Sequence, residues 1–153
     1  MEKVALVTGS TANIGRAISE RLSRDGYRVI VTSRHEEEAK EVCAALPTPG
    51  GYFCLDFGDA RQIQSLFAYI ATRFGRLDVL VNNVAYTKNE SIFDCDEETW
   101  EKTINVNLRS YHYCGRLNAP RTVARAGGGS VSFVSHCVGP FRGDGRFRDI
   151  HGD

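Results

Sequence analysis

Short apolar runs alternate with longer amphipathic stretches along this chain, starting a few residues from its first residue. Val4 to Val7 is an unbroken apolar run, the pattern of a strand buried on both faces. Ile14 to Arg24 follows, with Ile14, Ile18 and Leu22 one helical turn apart and Ala17 beside them, and Gly26 ends it. Arg28 to Thr32 is rich in β-branched residues and reads as a second strand. Glu36 to Leu46 reads as a helix whose acidic first turn complements the helix dipole, ended by Pro47 and Pro49. Tyr52 to Leu55 is expected as a third strand, closed by Asp56. Ile63, Leu66, Phe67, Ile70 and Phe74 form a helical stripe that stops at Gly75. Val79 to Val81 is a fourth strand. Trp100, Ile104, Asn107, Leu108 and Tyr111 lie at helical spacing in a further helix. After a glycine-rich turn, Val131 to Val134 is a fifth strand.

Strands separated by helices predict an α/β fold with a doubly wound parallel sheet, Rossmann-like, with five strands. The segment from Pro140 to Asp153, rich in Gly, Arg and Asp, has neither period. The expected organisation is therefore a partial dinucleotide-binding domain over residues 1–139 and an irregular tail over 140–153.

Composition adds little and excludes some classes. The 153 residues carry 19 basic and 19 acidic side chains, so net charge gives no reason to expect nucleic acid or an acidic membrane as partner. No apolar stretch has the length of a signal peptide or a membrane span, and a cytoplasmic location is expected. Five cysteines without a C-x-x-C pair speak for reduced thiols. No metal site is expected: His112 and Cys114 are two apart on a helix and do not face each other, while Asp94, Asp96, Glu97 and Glu98 fit an acidic helix start.

The chemistry concentrates in Thr8-Gly9-Ser10-Thr11-Ala12-Asn13-Ile14-Gly15, which closes a strand and opens a helix. A helix start offers unpaired N–H groups and the positive end of a dipole, a natural seat for a pyrophosphate. Gly9 would permit the tight turn, Gly15 close packing of helix on sheet, and Ser10 and Thr11 would add hydroxyl donors. At the end of the second strand, Thr32-Ser33-Arg34-His35 contains no acid to accept a ribose 2′-hydroxyl. Arg34 offers a guanidinium for a 2′-phosphate and Ser33 a further donor, which points to NADP(H) in preference to NAD(H).

The loop resembles the T-G-x-x-x-G-I-G of the classical short-chain dehydrogenases/reductases at Thr8, Gly9, Ile14 and Gly15, with Asn13 in place of the middle glycine. Asn tolerates a left-handed backbone better than most residues. Asp56 is similar to the family's adenine-contacting Asp. Asn82-Asn83-Val84-Ala85 resembles its N-N-A-G, with Ala85 at the last glycine, and Asn105-Val106-Asn107-Leu108 its N-V-N-L. The resemblance runs over roughly Lys3 to Gly139. It implies an NAD(P)-dependent oxidoreductase moving a hydride between nicotinamide and a carbonyl or alcohol, with Asn107 holding a proton-relay water. It implies cofactor contacts at Gly9, Ser10, Thr11, Asn13, Ile14, Gly15, Ser33, Arg34, Asp56, Asn83 and Ala85.

The family's Y-x-x-x-K motif has no counterpart, because no Tyr follows Tyr113 and no Lys follows Lys102. The position of the family's Ser reads His136, with Ser135 one residue early as the candidate. A fold incomplete on its C-terminal side, ending before that motif, is therefore expected, with an unpaired edge at the fifth strand and a tendency to self-associate. Two alternatives to an active oxidoreductase stay open: a non-catalytic nucleotide-binding or interaction module, and a truncated remnant without activity. The partner readings are a small carbonyl or alcohol substrate, a second copy of this chain, or a full-length relative.

Overall fold

The structure is a computed structural model that describes residues 2–88, 90, 93–123 and 129–134. The elements run β1 (Val4–Val7), α1 (Asn13–Arg24), β2 (Arg28–Ser33), α2 (Glu36–Ala45), β3 (Pro49–Cys54), α3 (Ala60–Phe74), β4 (Val79–Asn82), α4 (Glu97–Ile104), a π-helical turn (Asn105–Arg109), α5 (Ser110–Val123) and β5 (Ser130–Phe133). All strand pairs are parallel, in the order β3-β2-β1-β4-β5. This is the Rossmann order, in which the chain turns back between β1 and β4 and leaves a crevice at their carboxyl ends. The expected tail at 140–153 lies outside the described residues.

Two apolar layers enclose the sheet. On one face Leu6, Ile30 and Leu80 pack against Ile63, Leu66, Phe67 and Ile70 of α3 and Cys114 of α5. On the other, Ala5, Val7, Val29 and Val31 pack against Ala39, Val42 and Cys43 of α2, with Ile18 and Leu22 of α1 at the margin. The α3 stripe thus lies where its spacing predicts. Gly75 closes that helix at φ 65°, a backbone conformation a side chain would oppose.

Three readings are corrected. Ile14 does not join the core of α1, being 49% exposed, and the buried residues of that helix are Gly15, Ser19 and Ser23. Small side chains let α1 lie close on the sheet, and their hydroxyls find backbone partners: Ser19 donates to the Gly15 carbonyl at 2.9 Å. Trp100 and Leu108 are exposed as well. The π-helical turn inserts an extra residue into the helical winding and shifts its phase, so the buried line becomes Val106, Ser110, Cys114 and Asn118. Finally, Pro49 opens β3 instead of merely ending α2. Proline is tolerated at the first position of an edge strand, where its missing donor is not needed. A Cβ on Gly50 would collide with the Val29 carbonyl.

At the opposite edge, all four residues of β5 are exposed, including Val131 and Phe133. Among the described residues β5 therefore ends the sheet as an open edge.

Candidate functional site: the crevice between β1 and β4

Thr8, directly after β1, ties the two halves of the sheet together. Its N–H donates to the Val81 carbonyl at 3.0 Å, and its hydroxyl oxygen accepts from the N–H groups of Asn83 (2.8 Å) and Val84 (2.9 Å). The Asn83 amide returns the contact, donating to the carbonyls of Thr8 and Gly9, each at 2.9 Å. Asn83 therefore shapes the glycine loop from below through its side chain.

Thr32 fixes the loop from the β2 side. Its hydroxyl accepts from the Gly9 N–H at 3.0 Å and donates to the Val7 carbonyl at 3.0 Å. Ser10 is fully buried; its hydroxyl accepts from the Thr32 N–H at 2.7 Å, and its own N–H donates to the Thr32 carbonyl at 3.1 Å. The Ser10 hydroxyl, expected among the phosphate donors, is thus committed to holding the turn. Sequence reading marks Thr8 only as a motif position and Thr32 only as a strand-end residue; their hydroxyls show as structural pins once the strands are side by side.

Gly9 sits at φ 64° and Asn13 at φ 47°, the latter alone among non-glycine residues described with positive φ. A Cβ at Gly15 would run into the Gly9 carbonyl and the Asn83 amide, and one at Gly9 would come to 3.1 Å of the Val84 Cα. Gly15 is thus demanded by close approach, and Gly9 by its positive φ with Val84 close beside it.

The start of α1 differs from those of α3 and α4. Asp59 caps α3 by accepting from the Arg61 N–H, and Asp96 caps α4 by accepting from the Thr99 N–H. Those N–H bonds hold both carboxyls below the ordinary Asp range. α1 has Ala12 at its cap, no side-chain bond there and no acid in its first turn. Its first N–H groups thus have no side-chain cap acceptor. The donor set fits an anion such as a pyrophosphate.

The remaining expected cofactor residues mostly follow the carboxyl ends of the strands. Thr11 borders the loop, Ser33 and the exposed Arg34 stand at the end of β2, and exposed Ala85 follows β4. Asp56, just beyond β3, accepts from the Gly58 N–H at 2.8 Å. Asn107 lies in the π-helical turn. Its amide donates to the Tyr86 carbonyl at 2.8 Å and its oxygen accepts from the Tyr86 N–H at 2.7 Å. Tyr111 donates its hydroxyl to the Val84 carbonyl at 2.6 Å, and burial pushes its phenol up. Sequence reading places Tyr111 only in a helical stripe and gives Tyr86 no role, since a phenol and a backbone amide reveal their partners only in the fold. Ser135 and His136 lie outside the described residues.

His112 and Cys114 do not approach as ligands: His112 is exposed, and Cys114 is buried in the core with its thiol pushed up to about 12 by burial. Among the described residues no helix is long and apolar enough to cross a membrane.

Comparison with known proteins agrees with this architecture. The family model for short chain dehydrogenases matches residues 3–145, and the chain belongs to that family. It is 32% identical over 142 residues to a 3beta-hydroxysteroid dehydrogenase of Mediterraneibacter gnavus, covering 90% of this chain and 51% of that protein. It is 38% identical over 138 residues to human dehydrogenase/reductase SDR family member 4, covering 87% and 49%. Among solved structures, a short-chain dehydrogenase from Streptomyces avermitilis superposes with a TM-score of 0.81 at 33% identity, over 88% of this chain and 49% of that one. A metagenomic short-chain oxidoreductase in complex with NADP gives 0.82 at 29% identity, over 88% and 62%. The chain spans about half the length of the curated relatives it matches.

Proposed function

We propose that this chain forms the dinucleotide-binding part of an NAD(P)-dependent oxidoreductase acting on a small carbonyl or alcohol, with NADP(H) preferred. The observation that carries the reading is the uncapped start of α1, set against two glycines at the crevice between β1 and β4. Gly9, Asn13, Ile14 and Gly15 would hold the pyrophosphate with Thr11 beside it, and Ser10 and Asn83 would keep the loop in shape. Asp56 would face the adenine, and Ala85 the nicotinamide-side ribose. Ser33 and Arg34 would take the 2′-phosphate, supported by the NADP complex of the metagenomic relative. Bound nicotinamide supplies the hydride chemistry; Asn107 and Ser135 would serve the substrate end. A cytoplasmic location fits the free thiols at Cys43, Cys54, Cys95 and Cys114.

A second reading is a nucleotide-binding module, since the crevice geometry by itself points only to an anion seat. Fluorescence titration with NADPH and NADH tests the common part of both readings. Saturable binding, tighter for NADPH and weakened by Arg34→Ala, is expected. Absence of binding to either dinucleotide overturns both. Turnover of carbonyl substrates with NADPH then separates enzyme from module.

A further inference from the structure

The first turn of α2 carries three consecutive carboxylates, and they do not behave alike. Lys40 pairs with Glu37 at 3.0 Å and with Glu36 at 3.2 Å, and these contacts push its ammonium above the ordinary range. Glu38 turns the other way. One of its carboxylate oxygens accepts from the Ser33 hydroxyl at 3.2 Å and from the Thr11 hydroxyl at 3.4 Å. Thr11 belongs to the glycine loop and Ser33 ends β2, so the carboxylate spans the gap between them.

Among the described residues neither Glu38 nor Arg34 forms an ion pair. The subsite beside Ser33 thus combines an uncompensated guanidinium on one neighbour with an uncompensated carboxylate on another. An incoming 2′-phosphate would need the Ser33 hydroxyl that Glu38 holds and would meet its negative charge. A ribose 2′-hydroxyl, by contrast, could donate to that carboxylate.

Resting on the dinucleotide reading above, we infer that Glu38 is a specificity-determining residue: it opposes the 2′-phosphate, offsets part of the selectivity given by Arg34, and keeps NAD(H) usable. The acid that selects against phosphate then sits on the helix after β2 and not at the strand end. Sequence inspection alone finds no acid within Thr32 to His35, because only the fold turns Glu38 back toward Ser33.

The test is fluorescence titration of the full chain with NADPH and NADH, comparing the wild type, Glu38→Gln and Arg34→Ala. Glu38 is exposed, and melting curves monitor whether the Gln variant keeps the fold. NADPH affinity should rise about tenfold in Glu38→Gln, the scale of one like-charge contact at a protein surface, while NADH affinity stays level or falls. The selectivity ratio is the deciding readout, since a structural role alone would move both affinities together. An unchanged ratio, or weaker NADPH binding by Glu38→Gln, overturns the assignment of Glu38 while the dinucleotide site stands. Failure of the wild type to bind either dinucleotide overturns the site itself and this inference with it.

Discussion

Asn107 and Tyr86 hold each other in both directions, side-chain amide to backbone, at 2.8 and 2.7 Å. The π-helical turn places Asn107 opposite the segment that leaves β4, so one side chain satisfies both polar groups of a residue in an irregular stretch. Asn107→Ala should cost about 1–3 kcal/mol for two lost hydrogen bonds, read as a melting point lowered by about 3–8 °C. Asn107→Asp keeps the acceptor for the Tyr86 N–H but sets a carboxylate against the Tyr86 carbonyl. It should therefore melt below the wild type too. Thermal melts of both variants check this.

Gly15→Ala should both destabilise the protein and abolish dinucleotide binding. The new methyl group meets the Gly9 carbonyl and the Asn83 amide. Overpacking of this kind costs about 1–3 kcal/mol. Denaturant titration alongside NADPH titration measures the two effects. Binding preserved at wild-type strength would show that the loop is not the phosphate seat.

Asn13→Gly should act in the opposite sense on binding. Asn13 holds a positive φ of 47° with its side chain at the exposed mouth of the α1 start. Removing that side chain eases the backbone and opens the approach to the N–H groups, so NADPH affinity should rise several-fold. Stability should change by no more than about 1 kcal/mol, because strain relief and the entropy of glycine oppose each other. Paired titration and melting experiments check both halves.

Cysteine labelling in the native state should follow burial. Cys54 is exposed at the end of β3 and should react with iodoacetamide first, whereas Cys43 and Cys114 should stay protected until unfolding. The Cys114 thiol, raised by burial from 9.0 to about 12, stays neutral in the fold well above its ordinary titration. Its folded pKa is the higher one, so the stability it contributes is intact below pH 9 and drains away as pH climbs towards 12. Cys114→Ser should flatten that alkaline decline in a pH series of melting points.

Among the described residues β5 is the outermost strand on its side of the sheet, and this leads to a prediction about association. Val131 and Phe133 project from the same side of an edge strand and are 40% and 62% exposed. Sedimentation should show self-association of the chain, reduced by Phe133→Lys without loss of helical circular dichroism. A wild-type chain that sediments as a monomer at high concentration would count against it.

The sequence disclosed the sheet and its order because five runs of β-branched and apolar residues are each bounded by turn residues, and α3 because its stripe is long and regular. It disclosed the tight turn at Gly9 and the close packing at Gly15 because their spacing follows from what a strand-to-helix turn needs. It misplaced Ile14, Trp100 and Leu108, whose apolar character at helical spacing suggested core. Packing chose smaller residues on those faces, and the π-helical turn broke the phase that the spacing assumed. Ser10 and Asn83 were legible as loop residues but not as internal braces, since their partners are 22 residues or more away in the chain. Glu38 was invisible among three identical neighbours until Lys40 claimed two of them.

The Thr8 hydroxyl, which takes two N–H groups from the segment after β4, has a dynamic consequence. The floor of the glycine loop and the peptide leading to Tyr86 share one anchor, and Tyr86 is in turn gripped from the π-helical turn. Ligand bound at the α1 end would therefore slow hydrogen exchange not only in the loop but at Asn83, Val84 and Tyr86. An occupied nucleotide seat would in this way be felt as stiffness on the far bank of the crevice, before any substrate arrives.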